Sequence, residues 1–199
     1  MRRIILALPI SLMAIWGSQA MAVDFADGFR IGASGGVSDN QDFCVQTGNH
    51  TSCDEKDFSW KIYGGYQLMK WIAIEGGYVD LGKATTQGPG GSLGDISEAE
   101  TQALAVSAVF TAPGLQAAGF YIKLGGAYWD QDRIVATAGL PNVESSEDGG
   151  SFLAGAGFRF PFNEGLGLIF EYEQYFDVGT VATGESDIGV ISAGLLWSF

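Results

Sequence analysis

The chain is poor in several kinds of residue, and each shortage excludes a class of protein. Its 199 residues include five prolines, two cysteines and one histidine, and ten lysines and arginines stand against 23 aspartates and glutamates. The formal net charge is therefore −13, and no basic patch exists, which excludes a nucleic-acid-binding surface. The cysteines and the histidine lack the CxxC spacing of usual zinc sites, so we expect no metal and no other cofactor.

Long apolar runs are also missing beyond residue 22, where nothing approaches the roughly 20 consecutive apolar residues of a membrane helix. The start of the chain differs, because Arg2 and Arg3 precede an apolar run over residues 4–16 and the small-x-small sequence Ala20-Met21-Ala22. This pattern predicts a secretory signal peptide at 1–22, cleaved after Ala22, with cleavage after Ala20 as the second option. We expect the remaining residues, 23–199, to form one domain.

Glycine is abundant, with 30 of the 199 residues, far above the typical share of about 7%. Since proline is scarce, a disordered linker is not indicated, and many glycines lie inside segments in which apolar and polar residues alternate. A period of two is typical of β-strands that have two different faces. We count eight such segments, at 28–37, 57–68, 70–81, 98–111, 118–129, 150–161, 166–177 and 187–199.

The connections between these segments alternate in length. The links after the second, fourth and sixth segments are short, whereas polar stretches at about 38–56, 82–97, 130–149 and 178–186 follow the others. Short turns at one end and long loops at the other are typical of outer-membrane barrels. The predicted fold is all-β, an eight-stranded antiparallel up-and-down transmembrane β-barrel with its turns in the periplasm and its long loops outside.

Charged residues in the middle of the strands share the face opposite the apolar one. A cation on the lipid face near the bilayer midplane costs about 2–4 kcal/mol, so we expect these side chains to point inward. The lumen of an eight-stranded barrel is just wide enough for side chains to fill, and buried charges are costly unless paired. An interior ion-pair network that closes the barrel is predicted, and a gated ion path is the alternative. Its expected members are Arg30, Lys61, Glu75, Lys123, Arg159, Glu171 and Glu173.

Aromatic residues gather near both ends of the predicted strands, as the two interfacial girdles of a membrane barrel require. Those near the loop end are Trp60, Tyr78, Tyr128, Trp129, Tyr175 and Phe176. Those near the turn end are Trp71, Phe110, Phe120, Phe160, Phe162, Trp197 and Phe199.

The two cysteines, Cys44 and Cys53, lie nine positions apart in the first long loop. In an exported chain an even count predicts a disulfide bond, although two free thiols or a metal site with His50 remain alternatives. His50 also precedes Ser52 in a His-x-Ser pattern that outer-membrane lipid deacylases contain. It lies between the cysteines rather than on a strand, so we expect a solvated loop residue and no enzymatic activity.

Acidic residues are concentrated in the first and third long loops. The simplest interpretation is solubility, and the alternative is that the carboxylates share divalent cations with phosphates of the outer leaflet, although the spacing fits no calcium loop. These residues are Asp39, Asp42, Asp54, Glu55 and Asp57 in the first loop, and Asp130, Asp132, Glu144, Glu147 and Asp148 in the third.

The sequence resembles the OmpA-like family of eight-stranded outer-membrane barrels. The resemblance rests on the cysteine-bearing loop, on residues 60–66 (WKIYGGY), 73–82 (AIEGGYVDLG) and 121–129 (YIKLGGAYW), and on the terminal Phe199. It implies a charged lumen that includes Glu75, Lys123 and Glu171. It also implies a location in the bacterial outer membrane.

The roles implied by the resemblance are membrane integrity, adhesion or receptor loops, with a small pore as the alternative and a lipid-modifying enzyme as the least favoured. We expect a monomer in contact with the lipid bilayer and lipopolysaccharide. The end of the last strand, with Trp197 and Phe199, resembles the signal read by the outer-membrane assembly machinery. Many family members carry a peptidoglycan-binding domain after the barrel, and we expect none here.

Overall fold

The computed structural model describes most of the chain after residue 27. The described residues are 28–41, 43–46, 52–88, 96–111, 119–136, 141–163, 165–180 and 185–199. The predicted signal peptide, Asp42 and His50 lie outside them.

Nine strands and one short helix make up the described part of the chain. In chain order they are β1 (Phe29–Asn40), α1 (Phe43–Gln46), β2 (Ser52–Asp54), β3 (Lys56–Met69), β4 (Ile72–Gln87), β5 (Ile96–Thr111), β6 (Phe120–Ala136), β7 (Val143–Asn163), β8 (Leu166–Val178) and β9 (Ser186–Ser198).

Eight of these strands close into a barrel. Around the wall their order is β4, β3, β1, β9, β8, β7, β6 and β5, and β5 pairs with β4 to complete the circle. Every neighbouring pair is antiparallel. The predicted eight-stranded antiparallel barrel is thus confirmed. The short strand β2 pairs only with the outer end of β4.

The alternation of the sequence decides which side chains face out. Apolar residues at alternate positions lie on the outer surface, where Leu104 is 61% exposed and Ile191 68% exposed. Charged residues of the opposite parity are buried in the lumen. This arrangement is stable only where lipid surrounds the wall, because water would leave the apolar surface unburied. Within the described residues, no helix is long and apolar enough to cross a membrane.

The strands on one side of the barrel are longer than predicted. Strands β4, β5, β6 and β7 have 16, 16, 17 and 21 residues, whereas a bilayer crossing needs about 9–11. The described parts of the stretches 82–97 and 130–149, predicted as loops, are largely strand. Their polarity suggested loops, but above the bilayer both faces of a strand meet water and polar residues are tolerated on each.

Candidate functional site: the filled lumen and the outer sheet

Lys123 on β6 is the centre of a network of ion pairs inside the barrel. The residue is 1% exposed. Its Nζ atom lies 2.5 Å from Glu75 Oε1, 2.6 Å from Glu171 Oε2 and 3.3 Å from Glu173 Oε1. Since Glu75 is on β4 and the other two glutamates are on β8, one ammonium group connects three strands that are not neighbours in the wall.

Lys61 of β3 reaches two of these glutamates, Glu171 and Glu173. Its Nζ atom forms an ion pair with Glu171 Oε1 and lies 2.7 Å from Glu173 Oε2. A void beside Lys61 and Glu173, bordered by Ser34 and Ser192, is too small to admit a water molecule. Water is therefore excluded from the space between these side chains.

Three tyrosines complete the network. The hydroxyl of Tyr121 donates a hydrogen bond of 2.8 Å to Glu171 Oε2, and that of Tyr175 donates one of 3.4 Å to Glu173 Oε2. The ring of Tyr63 lies beside both lysine ammonium groups, with centroid distances of 5.1 and 5.4 Å. Sequence reasoning missed these tyrosines, although each has the same inward parity as the charged residues of its own strand.

The two arginines lie nearer the turn end, and each has its own contacts. Arg30 Nη1 donates a hydrogen bond of 3.2 Å to Gln67 Oε1, and Nη2 lies 3.8 Å from Glu75 Oε2. The guanidinium of Arg159 lies over the ring of Tyr121, 5.2 Å from its centroid. The seven charged residues named from the sequence are thus all buried in the lumen, with the arginines at the edge of the lysine–glutamate group.

An apolar layer fills the lumen between this network and the loop end. On β4, β6, β7 and β8 its members lie closer to the outer loops than the charged residue or residues of the network on the same strand do. The layer is a single buried cluster of Val79, Leu81, Ala103, Ala105, Ala127, Trp129, Leu153, Tyr175, Val178, Ile188 and Val190. Apart from the hydroxyl of Tyr175 and the indole N–H of Trp129, its side chains are apolar, so it forms a second barrier above the ion pairs.

Two residues predicted for the outer aromatic girdle belong to this layer instead. Trp129 is 2% exposed and Tyr175 is fully buried, so their assignment to the lipid-facing girdle was wrong. Both have inward parity, and proximity to the strand end was the wrong criterion. Trp60, Tyr78 and Tyr128 do face outward, and Trp60 Nε1 donates a hydrogen bond of 3.1 Å to Asp80.

A glycine makes room for the ring of Trp129. Gly149 lies directly opposite Trp129 on the neighbouring strand, and a Cβ atom at Gly149 would lie 2.5 Å from Trp129 Cζ2. At Gly150, which faces outward, the nearest atom to an added Cβ is the carbonyl oxygen of Ala127 at 4.0 Å. The glycine at position 149 thus permits the tryptophan to lie flat against the backbone.

We expect Gly149→Ala to lower the free energy of unfolding by about 1–3 kcal/mol, because the added methyl group overpacks the site. Gly150→Ala, the adjacent control, should have a much smaller effect. Urea unfolding of both refolded variants measures the difference. Equal stabilities would contradict the packing of Trp129 against Gly149.

Helix α1, in the first loop, covers part of the outer mouth of the lumen. Phe43 of α1 is buried against Ala84 and Ala99, which are inward-facing residues of β4 and β5. At the end of β1, just before α1, Ser186 Oγ donates a hydrogen bond of 2.5 Å to Asn40 Oδ1. Helix α1 therefore packs through Phe43 against the inner face of β4 and β5 at their outer ends.

The predicted disulfide between Cys44 and Cys53 is confirmed, with a Cα–Cα distance of 5.9 Å. Cys53 packs against the cluster formed by Phe43, and the N–H of Cys44 donates a hydrogen bond of 2.9 Å to Glu55 Oε1. The bond therefore fixes α1 to the strand β2 that borders the outer end of β4.

Replacing both cysteines with serine should release this cover. We expect a loss of about 2.5–3 kcal/mol from loop-closure entropy, and faster trypsin cleavage after the exposed Lys56. The wild type treated with reductant should behave like the double variant. If reductant leaves the cleavage rate of the wild type unchanged, the disulfide does not hold the cover in place.

At the other end of the barrel, the last strand presents Trp197 and Phe199 to the outside. Their rings stack with centroids 5.2 Å apart, and the N–H of Phe199 donates a hydrogen bond of 2.9 Å to the carbonyl of Phe29. Trp71 and Phe160, from the same predicted girdle, are also exposed on the outer wall, whereas the side chain of Phe162 lies outside the described residues.

Beyond the loop-end girdle, strands β5, β6 and β7 form a sheet whose outward face is acidic. Its carboxylates are Glu98, Glu100, Asp130, Asp132, Glu144 and Asp148. Two like-charged pairs lie directly opposite one another, Glu100 with Asp132 and Asp130 with Asp148, which is a destabilising arrangement. Lys83 of β4 lies 3.0 Å from Glu100, and their hydrogen bond raises the pKa of the lysine.

Four of these acidic residues, Asp130, Asp132, Glu144 and Asp148, are assigned to a loop from the sequence but are strand residues in the structure. In the described part of the chain, no group of three or more His, Cys, Asp or Glu side chains is arranged to hold a metal ion. The outer carboxylates are thus spread along a wall rather than gathered around a point.

Comparison with known proteins identifies relatives of the whole barrel. A family model described as "OmpA-like transmembrane domain" matches residues 24–199. Outer membrane protein A of Shigella flexneri is 24% identical over 155 residues, which are 76% of this chain. The matched region spans 43% of that relative's length.

Two solved structures share the fold at low sequence identity. Neisserial surface protein A superimposes with a TM-score of 0.56 at 16% identity, over 86% of this chain and 97% of its own. Ail, the attachment invasion locus protein of Yersinia pestis, gives a TM-score of 0.56 at 12% identity, over 87% of this chain and all of its own.

Proposed function

Because the chain belongs to the OmpA-like transmembrane domain family and lies in the bacterial outer membrane, we propose that it is a closed barrel with a structural or surface-interaction role. The barrel wall contacts the lipid bilayer. Such a barrel can maintain membrane integrity, mediate adhesion or act as a receptor for an external partner.

The filled lumen is the observation that carries this proposal. Two lysines and three glutamates occupy the barrel at one level, and the apolar cluster around Trp129 and Tyr175 occupies the next. An ion crossing the lumen would have to displace both layers, since the ion pairs are buried and the apolar side chains offer it no ligand.

The outer sheet supports the surface-facing part of the proposal. Strands β5 and β6 exceed a bilayer crossing by about six residues, which is about 20 Å of strand. A structural barrel does not require this extension, whereas a protein that meets an external partner needs a rigid surface beyond the lipid headgroups.

We also propose its partners in the membrane. Lipopolysaccharide would surround the outer half of the wall, and the assembly machinery would read the exposed Trp197 and Phe199 of the last strand. The chain would act as a monomer, because the barrel closes on itself and leaves no open edge at the level of the bilayer.

We assign the protein no enzymatic reaction. Both lumen glutamates of β8 are engaged by lysine and tyrosine, so they are not free to act as a carboxylate pair. The remaining candidate is His50, and an unchanged lipid composition in cells carrying His50→Ala would exclude a lipid-modifying role for it.

Single-channel recording in planar bilayers tests closure directly. With insertion confirmed by protease protection, we expect the wild type to give no discrete openings. Steady openings whose size changes in Arg159→Ala would instead assign the protein as a small pore, gated by the charged residues of the lumen.

A further inference from the structure

Strand β7 extends beyond its neighbour β8 and leaves one edge open. On one side it pairs with β6 from Val143, opposite Val135, onward. On the other side the pairing with β8 begins only at Phe152, opposite Phe176. Among the described residues, none pairs with the β8-side edge of 143–151, a stretch of nine residues that is about 30 Å long.

This edge is a template for another strand. Alternate residues of an antiparallel strand direct their N–H and C=O groups to opposite sides, so about half of residues 143–151 present both groups to the open side. Such edges pair readily with extended chains. The opposite side of the outer sheet differs, because β2 covers the outer end of β4 there.

The charge of the surface next to the open edge of β7 indicates which kind of extended chain would bind there. On the outward face, Glu144 and Asp148 lie on the edge strand itself, and Asp130 and Asp132 lie on β6 beside it. Every lysine and arginine of β6 and β7 has the opposite, inward parity. The outward face at this edge therefore carries carboxylates without a counter-charge from either strand.

We propose that residues 143–151 of β7 bind an extended basic segment of a partner protein outside the cell, which adds to the outer sheet as a further strand. This inference rests on the proposed surface-interaction function and gives it a partner of defined chemistry. A second copy of this chain does not fit the edge, because its own outer strand would bring carboxylates against carboxylates.

The register predicts the pattern of the partner. Glu144 and Asp148 are four residues apart on one face, with Ser146 between them. Residues of an added strand that lie opposite these two carboxylates are also four apart and share one face. The partner segment should carry lysine or arginine at such positions, with the intervening residues free to vary.

A synthetic nine-residue peptide of alternating lysine and threonine, labelled for fluorescence anisotropy, is the probe. With the full-length mature protein refolded in lipid nanodiscs, we expect saturable binding at low ionic strength. The same peptide N-methylated at three consecutive central residues keeps its charge but cannot donate main-chain hydrogen bonds from those residues. Its affinity should fall by about tenfold or more.

Two matched variants test the position of the site. Glu144→Gln/Asp148→Asn removes two carboxylates at the edge and should weaken binding by about fivefold. Glu98→Gln/Glu100→Gln removes two from the outward face of β5, two strands away, and should change affinity much less. Both variants keep the shape of the side chains, so folding is not at issue.

Undetectable binding of the unmethylated peptide would overturn the inference, and so would equal binding of the N-methylated peptide or equal effects of the two variants. The last two results would indicate attraction to the acidic wall without strand addition. Because peptide binding does not depend on conductance, a failure here is distinguishable from a failure of the closed-barrel proposal.

Discussion

Replacing Lys123 with methionine is expected to lower the free energy of unfolding by about 3–5 kcal/mol. The substitution keeps a long, flexible side chain and removes only the ammonium group. That group lies within 3.3 Å of a carboxylate oxygen on each of three glutamates. Removing it leaves the three buried glutamates with fewer close cations, since Lys61 alone pairs with both Glu171 and Glu173 and Arg30 lies 3.8 Å from Glu75.

The expected loss of stability reflects the desolvation of the glutamates that stay buried without Lys123, rather than the net contribution of the ion pairs to folding. Taking a charge out of water is costly, and its attraction to a partner in the lumen offsets that cost. When one partner is removed, the desolvation cost of the others remains without compensation. Urea unfolding of the protein refolded in vesicles, followed by far-ultraviolet circular dichroism, measures the change.

Lys83→Met is the matched control. Lys83 also pairs with a glutamate at 3.0 Å, but both side chains are exposed, and such surface pairs contribute about 0–1 kcal/mol. A second variant, Lys123→Met with Glu171→Gln, removes one negative charge together with the positive one and should recover part of the stability. If Lys123→Met and Lys83→Met were equally stable, the lumen network would not stabilise the barrel.

The inward placement of Lys123 follows from the sequence, whereas its partners do not. A period of two assigns each residue to a face once the apolar face is known, so the charges on the opposite face must point inward. Which lysine meets which glutamate depends on the stagger between strands that are not neighbours. Lys61 and Glu171 are separated by two intervening strands, and no local pattern encodes their relative height.

The ends of the strands were predicted less well than their middles. Within the bilayer, one face must be apolar and the alternation is strong. Above it, the constraint disappears, and residues 130–136 of β6 continue as strand with aspartates on the outward face. Their hydrophilic character is typical of a loop, so the open edge of β7, on which the proposed partner site depends, could not be found from the sequence.

The clearest error concerned Trp129, and the variant Trp129→Ala tests the corrected position. In the structure its ring is buried in the apolar layer of the lumen and lies against Gly149. Removing a buried tryptophan costs about 3–5 kcal/mol, because the transfer energy of the ring is lost and a cavity remains. We expect a loss of this size in urea unfolding.

Trp60→Ala supplies the comparison on the other face of the wall. Trp60 is 37% exposed, faces the lipid, and contacts the ring of Tyr78 at a centroid distance of 5.5 Å. Its replacement removes one aromatic contact of about 0.5–1.5 kcal/mol and one exposed hydrogen bond to Asp80, but leaves no interior cavity. Its effect should therefore be clearly smaller than that of Trp129→Ala.

The two tryptophans also differ in how they should respond to the surrounding lipid. A girdle residue senses the interface, so the effect of Trp60→Ala should change between vesicles of short-chain and long-chain lipids. Trp129 contacts only protein, and the loss on its removal should be the same in both. Equal losses of unfolding free energy for the two variants would contradict the lumen position of Trp129. So would a loss in Trp129→Ala that changes with lipid thickness, and either result would indicate that Trp129 belongs to the outer girdle.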